Sequence, residues 1–137
     1  KKFTNIKKNV RRSFIFTGGI MSLKNVLIAV SDMEKSKKFY KDFLGLCVIR
    51  DFGDNVMLSE GLVLQSTDSW RQALKEELRH GNTFELFFEE YDLEGFVLSI
   101  KEKGNVKITE DIYENAWGRR CIRLTDPDGY LIEVAEK

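Results

Sequence analysis

Four polar side chains interrupt strand-like stretches that are otherwise apolar or small on the same face. Asn25 alternates with Leu27 and Ala29, Gln65 with Val63, Glu85 with Thr83 and Phe87, and Glu133 with Leu131 and Ala135. One such residue would be an ordinary satisfied edge position; four at corresponding places in two halves of a chain predict a shared polar spot inside a hollow. A carboxylate there must be paired, hydrogen-bonded or protonated, and two close together push one pKa up. Three kinds of chemistry fit. The oxygens of Asn25, Gln65, Glu85 and Glu133 could hold a hard divalent cation (Mg²⁺, Mn²⁺ or Ca²⁺), with Glu133 or Glu85 as catalytic base and Asn25 and Gln65 orienting substrate oxygens. The spot could instead bind a small organic ligand with no cofactor, its acidic walls favouring a cationic or hydroxyl-rich molecule. Or the groups could satisfy each other and nearby arginines without a ligand. Neutral Asn25 and Gln65 bring little charge to a metal, so ligand binding is preferred over metal-dependent catalysis.

The elements that must position these residues repeat. Leu23 to Val30 predicts a strand, and Ser31-Asp32 a helix start, with Ser31 and Glu34 as a capping box. Phe39, Tyr40, Phe43 and Leu44 share a helical face, and Gly45 stands where a C-cap glycine belongs. Short strands are expected at 47–52, 55–59 and 62–66, with turns at Gly53-Asp54 and Glu60-Gly61. A polar linker helix over 67–79 carries a second capping box, Ser69 with Gln72. Then the first pattern returns: a strand over 83–88, a helix from Asp92 to Gly104, and strands at 106–108, 119–124 and 130–134. Asp32-Met33-Glu34 matches Asp92-Leu93-Glu94 at an offset of 60 residues. The chain therefore predicts an internal repeat of βαβββ units, modules of about 21–78 and 79–137. Asp126-Pro127-Asp128-Gly129 has the residues of a type I turn.

Other residues are weighed beside these. Trp117-Gly118-Arg119-Arg120 precedes a strand, where Trp117 could stack on a flat ligand and Arg119 or Arg120 close on an anion or on Glu133. An ordinary loop tryptophan covering the core edge fits equally well. Hairpin register leaves Arg119, Arg120 and Arg123 unsorted between the two faces. Cys47 and Cys121 are expected to be buried apolar fillers, and His80 a solvated loop residue.

Composition bounds the classes. The 137 residues suit one domain, and 42% hydrophobic content suits a packed core. Lys plus Arg equals Asp plus Glu at 22 each, so no nucleic-acid partner is expected. No apolar run is long enough to span a bilayer, so no membrane partner is expected. The cysteine pair forms no disulfide framework and suggests a reducing, cytoplasmic setting. The single histidine excludes a His-pair metal site within one chain. Residues 1–20 carry six basic and no acidic side chains, leaving the remainder at net −6. Phe3, Ile6, Val10 and Phe14 have helical spacing, as in transit peptides or membrane-surface helices. The preferred expectation is that this basic extension is non-native or upstream-translated sequence preceding a domain that opens at Met21.

Two segments carry a resemblance: Asn25 to Ser36 with Phe39-Tyr40 and Leu44-Gly45-Leu46, and Thr125 to Val134. On these the chain resembles the vicinal oxygen chelate superfamily, the glyoxalase, bleomycin-resistance and extradiol-dioxygenase group, over Leu23 to Ala135. The resemblance implies an α+β fold of two βαβββ modules forming a half-open mixed-sheet cup. It implies ligand positions on the cup face at Asn25 and Glu85, each seven residues before the Asp that starts a helix and often His in the group. It further implies Gln65 (often Glu or His) and Glu133, which matches the group's Glu. Iron dioxygenase chemistry needs two histidines and is disfavoured. What remains is a small-molecule-binding protein without the usual His-based site or, alternatively, a divalent-metal-dependent lyase or isomerase. The group's open cup also implies a homodimer.

Overall fold

The computed structural model describes residues 22–74 and 84–137. The basic extension, the end of the linker helix, His80 and Thr83 lie outside the described residues.

The two halves build the same unit. In the first, β1 (Val26–Val30) leads to α1 (Met33–Leu44), β2 (Val48–Asp51), β3 (Asn55–Leu58) and β4 (Leu62–Ser66). After the linker helix α2 (Thr67–Leu74) come β5 (Glu85–Glu90), α3 (Leu93–Lys103), β6 (Lys107–Glu114), β7 (Arg120–Thr125) and β8 (Leu131–Glu136). The sheets have orders β1-β4-β3-β2 and β5-β8-β7-β6, each with one parallel pair (β1·β4, β5·β8) and otherwise antiparallel neighbours. The architecture is α+β, two open four-stranded mixed sheets with helices, as the repeat predicts.

Both main helices start on an aspartate. Asp32 Oδ1 accepts from the Lys35 N–H at 3.0 Å, and Asp92 Oδ1 from the Gly95 N–H at 2.9 Å. The expected Ser31 capping box is therefore corrected: Ser31 Oγ donates to Asp128 Oδ1 at 2.6 Å, a tie to the other module. The expected Ser69 box is also corrected. The linker helix begins at Thr67, and the Ser69 N–H donates to Ser66 Oγ at 3.2 Å. Gly45 ends α1 at φ 69°, placing its N–H on the Lys41 carbonyl and that of Leu46 on the Tyr40 carbonyl. Gly61 sits at φ 75° with the Lys24 carbonyl so close that a Cβ would clash at 2.9 Å.

One core serves both halves. Ile28, Val30, Leu62, Leu64 and Val56 face Phe39 and Tyr40 of α1, and they join Leu93, Val97 and Ile100 of α3 and Ile122, Leu124, Ile132 and Val134 in a single cluster. Burying each large aliphatic side chain contributes about 2 kcal/mol. Polar ties cross the same boundary. The Tyr130 hydroxyl donates to the Ala29 carbonyl at 2.8 Å, and the buried Tyr40 hydroxyl donates to Asp126 Oδ2 at 2.8 Å. Asp126 Oδ1 also accepts from the Asp128 and Tyr130 N–H groups at 2.9 Å each. The turn that closes β7 onto β8 is thus pinned to α1, and Gly129 N–H on the Asp126 carbonyl at 3.0 Å closes it as expected.

Strand alternation sets the faces. In the second sheet, Leu86, Phe88, Ile122, Leu124, Ile132 and Val134 point to the helices. Glu85, Phe87, Glu89, Cys121, Arg123 and Glu133 share the opposite face.

Candidate functional site

Three registers bring the site together. Phe87 pairs with Glu133 in the β5·β8 ladder, Arg123 with Glu133 in β7·β8, and Glu110 with Arg123 in β6·β7. At the centre lies the Arg123 guanidinium. Its Nε meets Glu85 Oε2 at 2.6 Å, its Nη1 meets Glu110 Oε2 at 3.0 Å, and its Nη2 meets Glu133 Oε2 at 2.7 Å. A planar fork can serve three carboxylates at once, which a lysine ammonium cannot do with the same geometry. The side chain also lies over the Tyr113 ring, 5.2 Å from its centroid.

Glu133 is only 5% exposed, although its face is open elsewhere. The Tyr113 hydroxyl donates to the same Oε2 that receives Arg123. Burial, and then the bond to Glu133, push the Tyr113 hydroxyl above its ordinary range, so it stays a proton donor. The bond to Glu85 first of all raises Arg123 further, so the guanidinium remains charged. Cys121 is buried against this cluster and its thiol is pushed up, first by desolvation and then by Glu133. A thiol so placed is a poor nucleophile.

A second ion pair flanks the first. Arg119 Nη2 meets Glu89 Oε2 at 2.7 Å, its Nε donates to the Glu136 carbonyl at 3.0 Å, and its guanidinium sits 5.7 Å from the Phe87 ring centroid. Phe87 stands between these two charged groups and is 52% exposed. Four carboxylates (Glu85, Glu89, Glu110, Glu133) face two guanidiniums (Arg119, Arg123), a formal balance of −2. A groove of about 510 Å³ between the modules reaches Phe87 and Glu89 and is otherwise lined by Val26, Leu46, Leu62 and Leu86 among others.

The residues singled out from the sequence fall in different places. Glu85 and Glu133 come together, bridged by Arg123. Asn25 precedes β1 and is exposed, and the Gln65 amide donates to Ser69 Oγ at 3.1 Å. Arg123 thus joins the two glutamates, while Gln65 is tied to the linker helix. Arg119 lies on the Phe87 face. Arg120 lies on the helix side, where it pairs with Glu94 of α3. Trp117 is in the turn before β7 and 84% exposed. Cys47 corrects the expectation of a buried filler, since it is exposed just before β2. Sequence reasoning missed Glu110 and Tyr113 because it ended the sixth strand at Ile108, whereas β6 runs to Glu114. The alternation of Glu110, Ile112 and Glu114 with Asp111 and Tyr113 reads as polar loop, and only an edge strand tolerates it.

The arrangement does not fit a divalent cation. The two carboxylates at the positions implied for metal ligands already share a guanidinium, and the Gln65 amide is bonded to Ser69. Among the described residues, no group of three His, Cys, Asp or Glu has the geometry of a metal centre. Also among them, no helix is long and apolar enough to cross a membrane.

Comparison with known proteins places this geometry in a family. The family model described as a glyoxalase-like domain matches residues 23–137. The chain is 28% identical over 116 residues to the metallothiol transferase FosB of Staphylococcus saprophyticus, covering 84% of this chain and 76% of that protein. Among solved structures it is similar to a protein of unknown function from Agrobacterium tumefaciens, with TM-score 0.76, 30% identity, and coverage of 90% of this chain and 98% of that one. It also shares the fold of a glyoxalase/bleomycin resistance protein/dioxygenase family enzyme from Burkholderia phytofirmans, with TM-score 0.73, 17% identity, and coverage of 85% and 98%. The chain belongs to the glyoxalase-like domain family, within the vicinal oxygen chelate superfamily.

Proposed function

We propose that this chain is a small-molecule-binding member of its family, taking an organic cation or a hydroxyl-rich molecule on the Phe87 face of the second sheet. The observation that carries the reading is an exposed phenyl ring flanked along its strand by Glu85 and Glu89, on a face with a formal balance of −2. Carboxylates beside an aromatic ring suit an amine, whose charge is attracted by both. The same balance opposes an enolate or any other developing oxyanion, so binding is favoured over proton abstraction. The neighbouring groove has the volume of ordinary ligand sites and supplies an apolar wall. The name of the staphylococcal relative suggests a second reading, metal-assisted group transfer, which the donor set around Arg123 does not favour.

A thermal-shift panel of primary, quaternary and aryl amines, with matched alcohols and carboxylates, tests the proposal. Amines or polyols are expected to raise the melting temperature, carboxylates are not, and Phe87→Ala is expected to weaken the best ligand about tenfold. Equal response to carboxylates, or full retention of affinity in Phe87→Ala, would contradict it.

We also propose a homodimer. Val48 and Ile49 on the β2 edge and Phe52 beyond it are exposed, an open apolar edge that a second copy would cover. Equilibrium sedimentation at micromolar concentration is expected to give twice the chain mass; a monomer would refute the idea.

A further inference from the structure

Metal-dependent members of the superfamily are expected to gather carboxylates and imidazoles around a divalent ion. Here the gathered groups enclose part of the chain itself. Strands β5, β6 and β8 each contribute one glutamate, and β7 contributes the arginine that all three meet within 3.0 Å. Each of its three nitrogens holds a different carboxylate, so no donor edge of that fork faces the cluster unspent. Tyr113 adds a ring under the guanidinium and a hydroxyl to Glu133. We propose that Arg123 is a resident cation: it occupies the place of the divalent ion, makes this site independent of metals, and keeps them out.

Elementary electrostatics supports the exclusion. An entering ion would meet a fixed positive charge within the same ring of oxygens. It would also compete with a cation tethered to the same sheet, whose effective concentration far exceeds that of free metal. Without the guanidinium, Glu85, Glu110 and Glu133 would form an uncompensated trio of oxygen donors. As placed around the guanidinium the three do not form a metal centre. Hard divalent ions prefer such donors, and with the arginine gone the glutamate side chains would have to turn inward to close around one. The exclusion acts inside the ring of oxygens around Arg123, so an organic cation on this face would have to sit outside that ring, against Phe87 and Glu89; metal binding and amine binding are therefore read by separate experiments.

The test titrates Mn²⁺ into the full chain and into Arg123→Ala, following the free-ion electron paramagnetic resonance signal. Wild type is expected to leave Mn²⁺ free. Arg123→Ala is expected to bind one ion per chain at least about tenfold more tightly. Adding Glu133→Gln to that variant is expected to remove the gain. Should Arg123→Ala not fold in metal-free buffer, Mn²⁺ is expected to restore its circular dichroism. Stoichiometric Mn²⁺ binding by wild type overturns the proposal. So does an Arg123→Ala chain that neither binds Mn²⁺ nor refolds with it.

Discussion

Alanine at position 126 is expected to cost the protein about 3 kcal/mol, because three donors would lose their acceptor, one of them fully buried and two partly so. The donors are the Tyr40 hydroxyl and the N–H groups of Asp128 and Tyr130, and the carboxylate that receives them is 4% exposed. Asp126→Asn keeps an oxygen for the N–H groups and an amide that can donate to Tyr40, so it is expected to cost about 1 kcal/mol. The comparison also has a pH signature. Burial pushes the Asp126 carboxyl above its ordinary value of 3.8, outweighing its hydrogen bonds. A carboxyl raised in the folded state gives stability that is complete below the unfolded value and is lost as pH rises through the folded one. The gap between wild type and Asp126→Asn should therefore narrow as pH rises above about 4. Urea unfolding of the three proteins across pH 3.5–7 (about the range in which carboxyl groups titrate) measures both effects. An alanine variant as stable as wild type, or a widening gap, would contradict this account.

Arg123→Met is expected to be the most costly change at the site, at about 2 kcal/mol. Removing one partner of a buried ion pair is strongly destabilising, and the figure is reduced here because the Arg123 side chain is partly exposed. The methionine fills similar volume but leaves Glu133 buried without its countercharge. A second change, Glu133→Gln, should then restore about half of the loss, since the amide needs no countercharge and still accepts from Tyr113. Denaturant unfolding of both single variants and the double variant gives the coupling directly. Simple additivity of the two losses would show that the pair is not a unit.

How much of this was legible beforehand can be judged from particular residues. Asp32 and Asp92, each followed by a helix and a C-terminal glycine, announced the repeat, and both do cap helices. Alternation also marked Glu85 and Glu133, because a carboxylate on an otherwise apolar strand stands out. It could not say that Arg123 lies between them: a two-residue period sorts faces only when register is known, and Arg119, Arg120 and Arg123 fit several registers. The structure resolves this, with Arg119 and Arg123 on the Phe87 face and Arg120 against Glu94. Glu110 and Tyr113 escaped because an edge strand needs no apolar face, and their stretch of acids resembles a loop. Asn25 and Gln65 stood out by the same polar-on-apolar rule, yet Gln65 turns to a serine of the next helix. The rule detects exceptions, and each exception has its own local reason.

The two like sheets have dissimilar outer faces. The first carries Leu27, Ala29, Val63 and Met57 beside Gln65 and Asn55, with Ala29 and Val63 buried, while the second carries the glutamate and arginine cluster. Both units contribute to the one core, so neither supports the other alone. Changes to charge and shape around Phe87 would fall on side chains that alternate away from that core and would leave its packing as it is.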